Sequence, residues 1–272
     1  MPDLYLLIWA ALTLGLIGAF SGVIAGLLGV GGGIVLVPAF FYAFRALGYD
    51  GPQLMQICLG TSLATIVFTS IRSGLGHHRR GAVDRGIVRA WAPGIVAGVI
   101  LGTLVAARLR SEALQAIFGA LALLVGLYMA FGRPDWRLAE AMPSGLRRAV
   151  LSPMLGFLSV LMGIGGGTFG VPLMTLHSVP IHRAVGTASV FGLVIALPAV
   201  IGFLLTPTTD APPLTLGAVN LPAFAMILAV SLWTTPLGVR LAHSMNPVPL
   251  RRVFAVFLIL VALNMLRKVA GL

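Results

Sequence analysis

The chain has 272 residues, 58% of them hydrophobic and only 9% charged, with a formal net charge of +11. A soluble domain carries about a quarter charged residues, so this composition excludes one and points to a polytopic membrane protein. The basic excess does not mark a nucleic-acid binder, because the arginines sit in short loops between apolar stretches, where they act as topology signals.

The apolar stretches run roughly over 4–47, 53–71, 90–107, 113–132, 149–181, 184–206, 214–239 and 253–266. A helix needs about 20 residues to cross hydrocarbon, so most stretches suit one crossing. The first and fifth are too long for one. Both hold a cluster of glycines, GVGGG at Gly29 to Gly33 and GIGGG at Gly163 to Gly167. Each is expected to form a helix, a break and a second, short helix. If all eight stretches crossed simply, Lys and Arg would divide eleven to seven. If the two glycine stretches instead enter and leave on one side, the division becomes thirteen inside to five outside. The positive-inside rule favours the second arrangement.

The seven acids, Asp3, Asp50, Asp84, Glu112, Asp135, Glu140 and Asp210, all lie between the stretches. No carboxylate is therefore available inside a span for a proton relay or a cation site. Lone Cys58 excludes an internal disulfide and a cysteine-based metal site, and no cofactor or metal is expected. No cleavable signal peptide is expected, since Met1 to Tyr5 has no Lys or Arg and the first apolar stretch is too long for one.

The two glycine stretches are copies. Gly22 to Pro38 aligns with Gly156 to Pro172 without a gap, with eight identities in seventeen positions. LGTS at Leu59 to Ser62 matches VGTA at Val185 to Ala188, and Leu114 to Met129 matches Leu250 to Met265 with six identities in sixteen. The order is the same in both halves. The chain reads as a first repeat over 1–132, a polar cytoplasmic linker over 133–146 and a second repeat over 147–272. The fold class is all-α, two repeats of a broken, re-entrant hairpin plus three transmembrane helices. Three crossings are an odd number, so the second repeat is expected to insert upside down, an architecture common among secondary transporters, whose sites lie at broken helices near the midplane.

Broken backbone at membrane depth is tolerated where protein buries it or a polar cavity meets it. The residues after each cluster, from Ile34 and from Thr168, would open a short helix whose free N–H groups suit an anion. The candidate substrate-binding groups are the amides of Gly31, Gly32, Gly33, Gly165, Gly166 and Gly167. Thr61, Ser62, Thr187 and Ser189 are candidate hydroxyl donors on the following helices. Close helix packing is the alternative for the glycines, and the reading adopted for Gly94, Gly98 and Gly102. A bond to their own helix backbone is the alternative for the hydroxyls. Replacing Gly32 or Gly166 by valine is expected to abolish transport in a folded protein. Neither cluster is a nucleotide loop, since no G-K-[ST] follows and Ile34 stands where a dinucleotide fingerprint needs glycine. His182 and Arg183 are candidates for coupling to a proton. His77 and His78 read as members of a basic loop, and Arg72 as a snorkelling anchor.

The pair GVGGGIVLVP at Gly29 to Pro38 and GIGGGTFGVP at Gly163 to Pro172, each followed by a GTS or GTA element, resembles the TauE/SafE sulfite exporter family over essentially the whole chain. The resemblance implies a bacterial inner-membrane, multi-pass permease for small sulfur-containing anions, such as sulfite or organosulfonates like sulfoacetate. Ala188 departs from its counterpart Ser62, so the two halves of the site are expected to differ. The expected activity is export by alternating access, with a small-anion channel as the alternative. No nucleophile–base pair sits in facing spans for a membrane enzyme, and the large soluble loops of a receptor are missing. The expected partners are a small anionic substrate and the lipid bilayer, with a homodimer as candidate assembly.

Overall fold

The computed structural model describes residues 4–29, 32–132, 136–244 and 248–269. Within them the first and fifth apolar stretches each divide in two. Helix α1 (Leu4–Leu28) is followed by a short α2 (Gly33–Ala46), and α6 (Gly145–Leu161) by a short α7 (Gly167–Leu176). The remaining helices are α3 (Leu54–His78), α4 (Arg85–Arg108), α5 (Ser111–Phe131), α8 (Ile181–Leu204), α9 (Leu221–Ser244) and α10 (Val248–Val269). Five of them, α3, α4, α5, α8 and α9, are long and apolar enough to cross a bilayer. The chain is an all-α, multi-pass membrane protein.

The breaks fall where glycine lets the backbone turn. Gly29 and Gly32 have φ of 66° and 76°, and Gly163 has φ of 60°. An L side chain pays a steric penalty in this left-handed region, and glycine does not.

Glycine also sets the packing. Gly18, Gly22 and Gly26 bring α1 against Ile227, Ser231 and Thr235 of α9. Gly94, Gly98 and Gly102 bring α4 against Ser152, Pro153 and Phe157 of α6, in the packing role expected of them. Gly119 and Gly126 bring α5 against Leu266 and Ile259 of α10. A four-residue spacing keeps each trio on one helix face, so the backbones approach closely. Helices α3 and α8 pack on each other and against α9 and α4 respectively. Most of α3 is buried, whereas half or fewer of the residues in the apolar parts of α4, α5, α8 and α9 are. The outward faces carry Leu101, Leu104, Leu124, Trp233 and Leu260, an apolar surface suited to hydrocarbon.

The loops gather at two ends. At one, the turn after α3 meets the start of α8 through Arg183 and Asp84, and the end of α9 through His243 and His77. The linker joins this end, where Leu138 N–H donates to Leu176 O at the end of α7. At the other end, Gln53 accepts from Thr209, and Ser111 N–H donates to Pro52 O. Two boundaries differ from expectation. Helix α3 continues to His78 rather than ending near residue 71, because the small residues Ser73, Gly74 and Gly76 pack against α1, α8 and α9. The start of the 214–239 stretch is a tight β-hairpin, not helix. Its strands β1 (Thr215–Leu216) and β2 (Val219–Asn220) pair antiparallel around Gly217, with φ of 56°.

Candidate functional site

The two breaks meet in the interior beside α3 and α8. A side chain at Gly33 would collide with the Gly163 carbonyl, Ile66 and Ser62 Oγ. Ser62 Oγ donates to Gly163 O at 2.7 Å, so the GTS element of α3 ties down the break between α6 and α7. The converse contact also exists, with Gly29 packed on the Val185 carbonyl of α8. Gly166 packs on Ala188, Phe191 and Gly192 of the same helix. Gly32 and Gly166 are the residues just before α2 and α7, and Gly33 and Gly167 open those helices. Gly165 is buried. Gly31 lies outside the described residues.

Neither Gly32 nor Gly166 leaves room for a Cβ, which would strike Ser21 in one case and Phe191 Cβ in the other. Valine at these positions therefore disturbs packing as well as any ligand, and does not isolate a transport role.

Each candidate hydroxyl already has a backbone partner. Thr61 Oγ1 accepts the N–H of Asn220 at 2.9 Å, and Thr187 Oγ1 accepts the N–H of Asp84 at 2.9 Å. Asn220 and Asp84 in turn cap α9 and α4, their side chains accepting from Ala223 N and Ile87 N. The two threonines thus hold the starts of α9 and α4, at opposite ends of the bundle rather than together. Ser189 Oγ donates to Gly186 O in its own helix at 2.7 Å. Arg183 is engaged with Asp84 at 2.6 Å, and the His182 ring stacks on His243.

Other buried polar residues went unread in the sequence, and they join Thr61 and Ser62. Thr61, Thr65, Thr69, Ser73 and His77 recur every fourth residue and form one polar line along α3, with Ser62 and Ser70 beside it, all buried. Thr65 and Thr69 each donate to the carbonyl four residues back, at 3.1 and 3.2 Å. The signal was present as a period of four in TSLATIVFTSIRSGLGH, but its apolar surroundings hid it. His77 is not a loop residue. It is buried in the last turn of α3, because α3 runs seven residues further than its apolar stretch.

Thr168 differs from the candidate hydroxyls in having no partner among the described residues. It lies in the first turn of α7, it is 5% exposed, and its Oγ1 has no hydrogen-bond partner among the described residues. A buried hydroxyl without a partner costs about 1–3 kcal/mol, so its persistence calls for a reason. The first N–H groups of a helix also lack intrahelical partners. Together they are neutral donors beside a positive helix end, the combination that suits an oxyanion.

The sequence profile of the sulfite exporter TauE/SafE family matches residues 14–265. This chain belongs to that family. A probable membrane transporter protein of Haemophilus influenzae is 33% identical to this TauE/SafE protein over 255 residues, covering 93% of the chain and 97% of the relative. The probable membrane transporter protein MJ0441 of Methanocaldococcus jannaschii is 28% identical over 267 residues, covering 92% and 93%. The probable membrane transporter protein YunE of Bacillus subtilis is 28% identical over 191 residues, covering 63% of the chain and 70% of the relative. No solved structure matches the TauE/SafE chain. Membership makes the protein one of a family of membrane transporters.

Proposed function

We propose that the protein exports small sulfur-containing oxyanions, sulfite or an organosulfonate, across a bacterial inner membrane by alternating access. The carrying observation is the start of α7, where the Thr168 hydroxyl is buried without a partner beside a helix N-terminus. Such a site offers hydrogen bonds and partial positive charge without a fixed cation, so an anion binds without being trapped.

Two inverted repeats, over 1–132 and 147–272 with the linker between them, are part of this reading. In its favour, the packing is exchanged between halves. Helix α1 packs on α9 as its counterpart α6 packs on α4, and α3 packs on α9 as α8 packs on α4. The Thr61–Asn220 and Thr187–Asp84 bonds repeat the same exchange. In this arrangement α2 and α7 start in the interior and run to opposite ends, and rocking one repeat against the other would open the site to either side.

Proteoliposomes containing the purified protein test the reading with sulfite, sulfoacetate, thiosulfate, sulfate and acetate. Saturable transport of a sulfur oxyanion, competed by its analogues and driven uphill by an ion gradient, is the expected result. Movement that only dissipates a gradient makes the protein a channel. Absence of transport for every anion, in folded protein, overturns the substrate class.

A further inference from the structure

We propose that His77, His243 and His182 form a proton-binding latch at the basic end of the bundle, and that proton binding there couples to motion of the first glycine break; the coupling rests on the transport reading, the proton site does not. The three histidines come from three helices, α3, α9 and α8. His77 Nε2 lies 3.0 Å from Gly26 O, and His77 Nδ1 lies 3.2 Å from His243 Nε2. The His243 ring is stacked in turn on His182, with centroids 5.4 Å apart. His77 is buried, whereas His243 and His182 are exposed. The cluster therefore reaches from the aqueous end into the protein.

The bonding dictates where protons sit. A carbonyl only accepts, so His77 Nε2 carries hydrogen and donates to Gly26 O. In the neutral ring Nδ1 is then an acceptor, and His243 Nε2–H donates to it. One proton from the aqueous side binds the remaining lone pair, Nδ1 of His243. That leaves every bond in place and makes the His243–His77 bond a stronger, charge-assisted one. A second proton must take Nδ1 of His77. The two rings then face each other N–H to N–H, and the bond between α3 and α9 is lost.

The location gives this titration leverage. Gly26 is in the last turn of α1, whose carbonyls lack intrahelical partners, and Gly29 follows three residues later. Ser73 Oγ donates to the neighbouring Ala25 O at 3.4 Å, so α3 holds the end of α1 at two points. His77 also ends the polar line that begins at Thr61, so one rigid helix carries both the latch and the side chains at the breaks. The charged groups facing His77 are His243 from α9, His182 from α8 and Arg80 from the turn after α3. Helix α1 has no acidic or basic side chain. Arg183 is taken up by Asp84, His78 by Arg85, and Arg240 of α9 is exposed.

Imidazole ¹⁵N spectra of the full chain in lipid nanodiscs, recorded from roughly pH 4 to 8, test the latch. His77 and His243 are expected to titrate as a pair, so that His243→Gln moves the His77 midpoint by roughly one pH unit. Glutamine keeps a donor toward His77, which protects the fold. Independent titration of the two rings overturns the latch. In proteoliposomes, His243→Gln is expected to lose at least about tenfold of pH-gradient-driven sulfite accumulation while retaining sulfite counterflow. Wild-type accumulation by the variant overturns the coupling. Wild-type protein that moves no sulfite overturns the exporter reading instead, and the paired titration then upholds or overturns the proton site.

Discussion

The two glycine breaks share a sequence signature and differ in how they are held. At the first, Gly29 and Gly32 both take left-handed backbone, and the carbonyls of Ala25, Gly26 and Gly32 are taken by Ser73, His77 and Ser21. At the second, Gly163 alone takes positive φ, and Gly166 sits at −66°. There the backbone largely satisfies itself, with Ile164 N–H on Ser159 O and Gly163 N–H on Val160 O, and Ser62 adds a side-chain clasp. The following helices differ too. The first turn of α2 carries the apolar Ile34, and that of α7 carries the unpartnered hydroxyl of Thr168. One motif is thus held in two ways. The first break is anchored by polar and titratable side chains, and the second lies beside a buried hydroxyl that makes no hydrogen bond among the described residues.

Substitutions can break or sharpen this contrast. The largest effect is expected at Gly32→Val, which adds left-handed strain to a collision with Ser21 and costs roughly 3 kcal/mol or more. Gly166→Val meets only the collision, at roughly 1–3 kcal/mol. Thermal unfolding in detergent, with size-exclusion profiles, is expected to show the first variant misfolded and the second folded but less stable. Equal losses would remove the backbone difference from the account. Next, Thr168→Val is expected to weaken sulfite binding about tenfold, near 1.4 kcal/mol, without lowering the melting temperature, because the hydroxyl has no protein partner to lose. Unchanged binding, by calorimetry, would leave the second break without its ligand role. Thr61→Val strips the acceptor from the buried N–H of Asn220 and Thr187→Val from the part-buried N–H of Asp84, and each is expected to cost roughly 1 kcal/mol in denaturant titrations. A loss at one alone would mean that the exchanged contacts are unequal. The smallest effect belongs to Arg183→Gln. Its half-exposed pair with Asp84 is expected to contribute no more than about 0.5 kcal/mol, vanishing in high salt.

Much of the architecture was legible because membranes impose few solutions. Apolar length gave the helices, arginine placement their ends, and the recurring glycines the two breaks. The candidate hydroxyls were legible, and their partners were not. Thr61 and Thr187 carry hydroxyls suited to an oxyanion, yet each bonds a backbone N–H 159 and 103 residues away, a pairing no local pattern announces. His77 and His243 lie 166 residues apart and meet only because α3 and α9 pack together. The hairpin at 215–220 was hidden by its apolar neighbours, since two-residue strands leave no period to read. The four-residue polar line of α3 was readable, and the histidine at its end marked where that helix stops.

The Thr187–Asp84 clasp also bears on how the chain is made. The ribosome delivers Asp84 to the membrane 103 residues before Thr187 exists. Through that interval α4 has its aspartate cap but lacks the anchor that fixes the cap in place. Thr61 is the reverse case, an anchor already inserted when Asn220 arrives 159 residues later. Each clasp therefore joins an early part of the chain to a late one, and neither can close until Thr187 and Asn220 have been made.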